Sequence, residues 1–213
     1  MKNYTLKTYT ENKPIFSGQY HCFIDCLEDA VKENIDLSHI DLRAQNLTNA
    51  NLDGAHMPFA DFKGANLIGC NLSECELQNS IFNDCVLYNT CFAYSEIKNS
   101  MFMGASFGAT IIDGSNIQDC TFSTLSAFDL EFQTTRAMSG CRFIDPDFMH
   151  HDMSQPPVIL KGIINTPIII LDKSIKIGSQ YFASSDALPS VQSLIQKVLP
   201  QTVNQEYFKK VTG

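Results

Sequence analysis

Eight cysteines, five histidines and twenty-three acidic residues are the side chains of this 213-residue chain best equipped for chemistry. Their spacing points away from catalysis. Cys70, Cys75, Cys85, Cys120 and Cys141 each stand two residues before a large apolar residue, where Ala, Ser or Thr otherwise sits. A cysteine interchangeable with alanine and serine serves as a small buried side chain, a role a free thiol fills well. Cys22 and Cys26 are four apart and lack zinc or redox spacing. Reduced thiols are expected throughout, even at Cys120 and Cys141, which should stack on neighbouring turns of the chain. His39 and His56 fall at outward positions with no nucleophile defined by a motif. His150 and His151 are adjacent, so in an extended segment they point apart and share no metal. With no phosphate loop or dinucleotide fingerprint either, the expectation is no catalytic residue, no metal and no cofactor: not an enzyme.

What places these residues is a period of five. A large apolar residue recurs at Leu37, Leu42, Leu47, Leu52, Met57, Phe62, Leu67 and on in steps of five to Phe122, eighteen positions without a gap. Such a period fits neither helix nor uninterrupted strand and marks a repeat architecture. Calling the apolar centre i, position i−2 is Ala, Cys, Ser or Thr at all fifteen places from Ala50 to Cys120. Residues i−2 and i must share an inward face, as alternate residues of a strand do, and i−1 points out. Asn or Gly recurs at i+2 (Asn49, Gly54, Gly64, Asn79, Gly104), where a tight corner demands positive φ. Each pentapeptide is thus one short side and one corner.

The ends read differently. Residues 1–34 give strand-like segments and then a short helix, with Asp25 as N-cap and Glu28 three residues on. Residues 35–154 hold the repeats. After Phe122 the step loosens: Phe128 compensates a small Ala127, and one extra residue lies between Phe132 and Met138, around Gln133, Thr134, Thr135 and Arg136. With that shift Phe143, Phe148 and Met153 resume the step, for twenty-four centres in all. Residues 155–213 offer apolar strands from Val158, then a helical stripe of Val191, Leu194, Ile195, Val198 and Leu199, with Tyr207, Phe208 and Val211 suited to a further turn.

The pattern (Ala/Ser/Cys/Thr)-(Asp/Asn)-(Leu/Phe)-X-X resembles the pentapeptide repeat family, and Ala50-Asn51-Leu52-Asp53-Gly54 and Ala65-Asn66-Leu67-Ile68-Gly69 match its consensus. The resemblance implies an all-β fold, a right-handed quadrilateral β-helix with four pentapeptides to a coil. Twenty-four centres make about six coils, a rod roughly 29 Å long at strand spacing. A short N-terminal helical cap and a C-terminal strand-plus-helix cap would close it. The segment Ile175-Lys176-Ile177-Gly178 is similar to caps of bacterial and phage-encoded members. Stacking every twentieth residue puts Leu42, Phe62, Phe82, Phe102 and Phe122 in one column.

Charge and the outward positions bear on the task. The net charge is −8, of which residues 35–154 contribute −10 and the flanks +2. Acidity of the rod speaks against binding nucleic acid or an anionic membrane directly. No apolar run is long enough to span a membrane, and the first residues lack a secretory h-region, so a cytoplasmic protein is expected. On one wall Asp36, Glu76 and Glu96 recur at i−1 with Asp119 nearby, a candidate acidic column. Ile81, Met101, Met103, Tyr88 and Tyr94 form a candidate apolar contact patch. The chain is also similar to the quinolone-resistance branch of the family, which implies a DNA mimic binding DNA gyrase or topoisomerase IV; the diagnostic loops of that branch are missing, and the irregular coil at 125–137, around Gln133, Thr134, Thr135 and Arg136, is the segment placed to supply one. The competing expectation is a scaffold or phage/host-interaction protein whose unrelated partner meets the apolar patch. Either way the partner is a protein, and the chain is a monomer or a homodimer through its C-terminal helix.

Overall fold

In the computed structural model, which describes residues 1–162 and 164–198, the repeats pair with one another at a fixed distance along the chain. Parallel bridges join residues twenty apart, from Asp41 with Asp61 to Cys91 with Ile111. From Leu37 to Phe82 each centre donates its N–H to a carbonyl nineteen residues on, as Leu42 does to Asp61 (2.8 Å) and Phe82 to Met101 (2.7 Å). The residue before a centre donates backwards, as Asp61 does to Ile40 at 3.0 Å. Every coil therefore supplies the backbone partners its neighbours lack. The result is a β-helix-like, all-β fold.

Element order follows from where the chain departs from this rule. An antiparallel hairpin, β1 (Lys2–Lys7) and β2 (Pro14–Tyr20), leads into helix α1 (Phe23–Lys32). Within the repeats, strands long enough to name are β3 (Val86–Tyr88), β4 (Glu96–Lys98), β5 (Met101–Phe102), β6 (Ser106–Gly108), β7 (Asn116–Gln118) and β8 (Thr121–Phe122). Two 3-10 turns, Leu125–Asp129 and Phe132–Thr134, interrupt them. Then come β9 (Ala137–Ser139), β10 (Cys141–Ile144) and β11 (His150–Met153). A four-stranded antiparallel sheet of β12 (Val158–Leu160), β13 (Ile168–Ile170), β14 (Ser174–Ile177) and β15 (Gln180–Ala183) follows, and helix α2 (Ser184–Val198) closes the order. No helix among the described residues is long and apolar enough to cross a membrane.

The inward half of the period builds the core. Leu37, Leu52, Leu67, Phe82 and Leu87 are fully buried, as is the rest of the apolar column down to Phe122 within a few per cent. Rings of Phe62, Phe82, Phe102 and Phe122 stack at 4.7, 4.9 and 5.2 Å, nearly parallel, because coils repeat at strand spacing. Position i−2 does more than fill space. Ser95 Oγ donates to the Leu72 carbonyl (2.6 Å) and accepts the Cys75 N–H (3.1 Å), and Ser100 does the same with Leu77 and Ser80. These hydroxyls sew adjacent coils together inside the wall. Thiols join in, Cys75 and Cys85 donating to Leu52 and Phe62 carbonyls at 3.0 and 2.9 Å.

Corners fall at i+2, with φ near +60° at Asn49, Asn79 and Asn89. Bulkier residues take the same conformation at Phe59 and Tyr94, held by cross-coil hydrogen bonds to Gln78 (2.8 Å) and Asp113 (2.9 Å). At Gly104 (φ +71°) a second constraint is added: Asp84 Oδ1, one coil back, occupies the space a Cβ would need. At Gly54 (φ +72°) that space is open. Gly54→Ala is therefore expected to cost about 1 kcal/mol from the left-handed backbone alone. Gly104→Ala should cost roughly 1–2 kcal/mol more, because the overlap with Asp84 must also be relieved. Urea midpoints compare the two, and equal midpoints would contradict the packing argument.

At the N-terminus the expected cap residue shifts. Cys22, not Asp25, is the N-cap of α1, and Asp25 plays the reciprocal role by accepting the Cys22 N–H at 3.2 Å. The capping box was one turn earlier than the spacing suggested. Glu28 is thereby free to accept the Asn51 N–H (2.8 Å) on the first coils, and Cys26, Leu27 and Ala30 bury against the same core.

The extra residue beyond Phe132 shows directly in the register. Spacing between paired coils is twenty before it and twenty-one after, with Asn116 opposite Ala137 and Phe122 opposite Phe143. Phe128 is buried against Phe143 at 4.7 Å, filling what Ala127 leaves. Phe148 corrects the expected step. It is 81% exposed with φ +61°, at the tip of a hairpin in which β11 runs antiparallel to β10. An antiparallel return replaces the corner that would have turned Phe148 inward, although Met153 is buried. In α2, Val191 packs on the sheet with Ile168, Ile170 and Ile175. The remaining side chains of the expected stripe, and Leu199, Tyr207, Phe208 and Val211, lie outside the described residues.

Candidate interaction surfaces

The acidic wall exists as a column but is not bare charge. His56, Glu76, Glu96 and Asn116 follow one another as parallel partners on successive coils. His56 sits between two carboxylates, its Nδ1 2.9 Å from Glu76 and its Nε2 3.6 Å from Asp36. Asp36 is held below the usual carboxylate range by hydrogen bonds from Ser38, with His56 adding to the effect. Glu96 meets Lys98 at 3.0 Å, Asn116 Nδ2 at 2.9 Å and the Arg136 guanidinium. Burial pushes its carboxyl up, but these donors outweigh burial and leave it below its ordinary range. Asp119 lies apart from the column, at a corner where its carboxylate covers Gly140. Of the four, only Glu96 meets a lysine or arginine; Asp36, Glu76 and Asp119 have no such partner among the described residues.

The apolar patch is spread over several faces. Ile81 and Met101 come together as parallel partners on the phenylalanine wall, Met101 being 42% exposed and Met103 half-buried. Tyr88 and Tyr94 each lie over a glycine of the next coil, Gly108 and Gly114. They are still 44% and 63% exposed, and Ile111 is 45% exposed. Rings packed against a glycine of the next coil are partly ordered in advance, which lowers the entropic cost of meeting a partner.

The irregular coil falls where the sequence places it, within 125–137. Two 3-10 turns span 125–134, so Gln133 and Thr134 lie within the second and Thr135 and Arg136 follow it. Gln133 and Thr134 are exposed. Thr134 nonetheless anchors the segment, donating to Asp113 (2.6 Å) and accepting the Gly114 N–H (2.9 Å). Arg136 reaches across to Glu96, which ties this coil to the acidic wall.

A polar cluster at the far end of the rod escaped sequence reasoning. His151 on β11 keeps only 10% of its side chain exposed, with Nε2 3.0 Å from Asp145 Oδ2 and Nδ1 2.9 Å from Ser174 Oγ on β14. The Tyr181 ring stacks on it at 4.1 Å. Burial raises the Asp145 carboxyl, but His151 and the Met149 and Asp147 N–H groups more than compensate and hold it below its ordinary range. The adjacent pair His150-His151 gave no hint of this, because β14 arrives from far along the chain. The cluster joins the last repeat strands to the C-terminal sheet.

All eight cysteines are free, and burial pushes Cys75 and Cys85 up to about 12, far from thiolate chemistry. Among the described residues no three His, Cys, Asp or Glu side chains gather to hold a metal ion.

Comparison with known proteins agrees with the geometry. Residues 55–132 match the family description "Pentapeptide repeat region" and residues 35–73 match "Pentapeptide repeats (8 copies)". No curated protein sequence matches the chain. Among solved structures, a pentapeptide repeat protein from the Arabidopsis thaliana thylakoid lumen is 26% identical, over 40% of this chain and 66% of that one, with a TM-score of 0.31. Rfr23 from the cyanobacterium Cyanothece 51142 is 15% identical over 48% of this chain and 83% of its own, TM-score 0.31. QnrB1, a plasmid-mediated fluoroquinolone resistance protein, is 15% identical over 48% and 59%, TM-score 0.22. The chain thus spans less than two thirds of the plant protein and of QnrB1. Scores this low leave the family resting on the sequence match.

Proposed function

The chain belongs to the pentapeptide repeat family, and on that premise we propose that it is a non-enzymatic protein-interaction module, most sharply a DNA mimic that binds a type II topoisomerase such as DNA gyrase or topoisomerase IV. The observation that carries this reading is the charge of −10 on residues 35–154. In this reading the repeats form a right-handed quadrilateral rod of about six coils, closed at both ends, which the twenty-residue pairing supports. Over roughly 29 Å that is about one net negative charge per 3 Å, against ~1.7 Å for duplex DNA. The rod offers a little over half the charge density of DNA to a basic groove. A cytoplasmic location goes with the proposal.

The test is DNA supercoiling by gyrase. Micromolar protein should inhibit it, inhibition should weaken between about 50 and 200 mM salt, and Glu76→Lys should reduce it several-fold. Glu76 is the informative position because Glu96 is already matched by Arg136 and Lys98. The absence of both inhibition and binding at micromolar protein would sink the topoisomerase reading.

The exposure of Tyr94 and Met101 favours a second reading, a scaffold or phage/host-interaction protein with an unrelated partner. Under it the contact is insensitive to salt and to Glu76→Lys, and Met101→Asp abolishes it.

A further inference from the structure

Between the first 3-10 turn and the C-terminal sheet lies a cavity of about 450 Å³. Leu125, Phe128, Ile159, Pro167 and Ile169 give it apolar walls. Lys176 on β14 also lines it, although only 6% of that residue is exposed. Its ammonium reaches the Gly178 carbonyl and stands 5.6 Å from the centre of the Tyr181 ring. Neither carries a negative charge, and among the described residues no carboxylate pairs with Lys176. Burial pulls its amine below the ordinary lysine range. The other cation at the cavity, Lys161, is exposed and already faces Asp129 at 3.4 Å.

A buried ammonium without a counter-charge is costly, and an ammonium has three donors, of which Gly178 takes one. A cavity of this size, whose apolar walls are joined by Ser126, Thr166, the Lys161–Asp129 pair and Lys176, has the make-up of a small-molecule site. We propose that it binds a small amphipathic monocarboxylate, with the carboxylate on Lys176 and the hydrocarbon against Leu125, Phe128 and Ile159. A single uncompensated cation selects one negative charge, since a second would be stranded among apolar walls. This site does not depend on the topoisomerase reading, because it lies on the C-terminal sheet rather than on the acidic column.

Calorimetric titration of the full chain with octanoate, and with octanamide as its neutral counterpart, tests the proposal. Octanoate should bind at least tenfold more tightly than octanamide. Lys176→Met keeps the apolar stem and removes the charge, and should weaken octanoate roughly ten- to a hundredfold, the usual loss for a hydrogen bond to a charged group. Without octanoate the same variant should melt higher than the wild type, since an unpaired buried charge is gone. Lys161→Met should leave octanoate affinity within about twofold, as expected of an exposed pair. Equal affinity for octanoate and octanamide, no octanoate binding at millimolar concentration, or unchanged affinity in Lys176→Met would each overturn it.

Discussion

Phe82→Ala is expected to cost about 3–5 kcal/mol of folding stability, the largest effect of any single substitution considered. Phe82 is fully buried at the middle of the ring column, 4.7 Å from Phe62 and 4.9 Å from Phe102, with Phe92 edge-on at 5.5 Å. Removing it opens a cavity that the cross-coil hydrogen bonds on either side prevent from collapsing. Because a solenoid is stabilised chiefly by contacts between neighbouring repeats, both flanking interfaces are weakened together. Phe82→Leu should cost far less, about 1–2 kcal/mol, since leucine fills the same inward position at Leu42, Leu67 and Leu87. Urea unfolding followed by circular dichroism measures both. A cost for alanine no greater than for leucine would show that ring stacking is not what holds this wall.

His151→Leu should cost about 2–3 kcal/mol, and the loss should be local. The imidazole contacts Asp145 and Ser174 at 3.0 and 2.9 Å, so the variant strands a buried carboxylate and unties β14 from the end of the rod. Amide hydrogen exchange should accelerate in β13–β15 while the coils around Leu52 to Leu87 remain protected. The pH dependence follows from Asp145, whose folded carboxyl sits below its unfolded value. Its contribution is complete above that unfolded value, near 4, and disappears as pH falls through it toward the lower folded value. The stability gap between wild type and His151→Leu should therefore close below about pH 4. A uniform loss of protection along the whole rod, or a gap unchanged at pH 3, would contradict the assignment.

How far the sequence reached is clearest residue by residue. The period from Leu37 to Phe122 located every inward side chain, because a strand-like side alternates faces and a corner at i+2 restores the phase. The single inserted residue after Phe132 was legible too, and the change in pairing from twenty to twenty-one confirms it. Phe148 was not, since a step of five cannot tell a corner from the hairpin that reverses the chain there. The hydroxyl ladder was half-legible: small residues at i−2 were evident, their donation to the preceding coil was not. Of the outward residues, the sequence placed Glu96 on a wall correctly but could not see Arg136 lying against it forty positions later.

By itself, then, the sequence determined the repeat, its inward column, its corners and the concentration of acid on the rod. Those features are written within one period, where each residue's direction follows from its neighbours. Only the tertiary structure decided which charges stay unpaired, that β11 turns back on β10, that His151 meets Ser174, and that Lys176 lines a cavity without a counter-charge. These are contacts between segments at no fixed separation, made where the repeat stops, and no local rule of spacing reaches them.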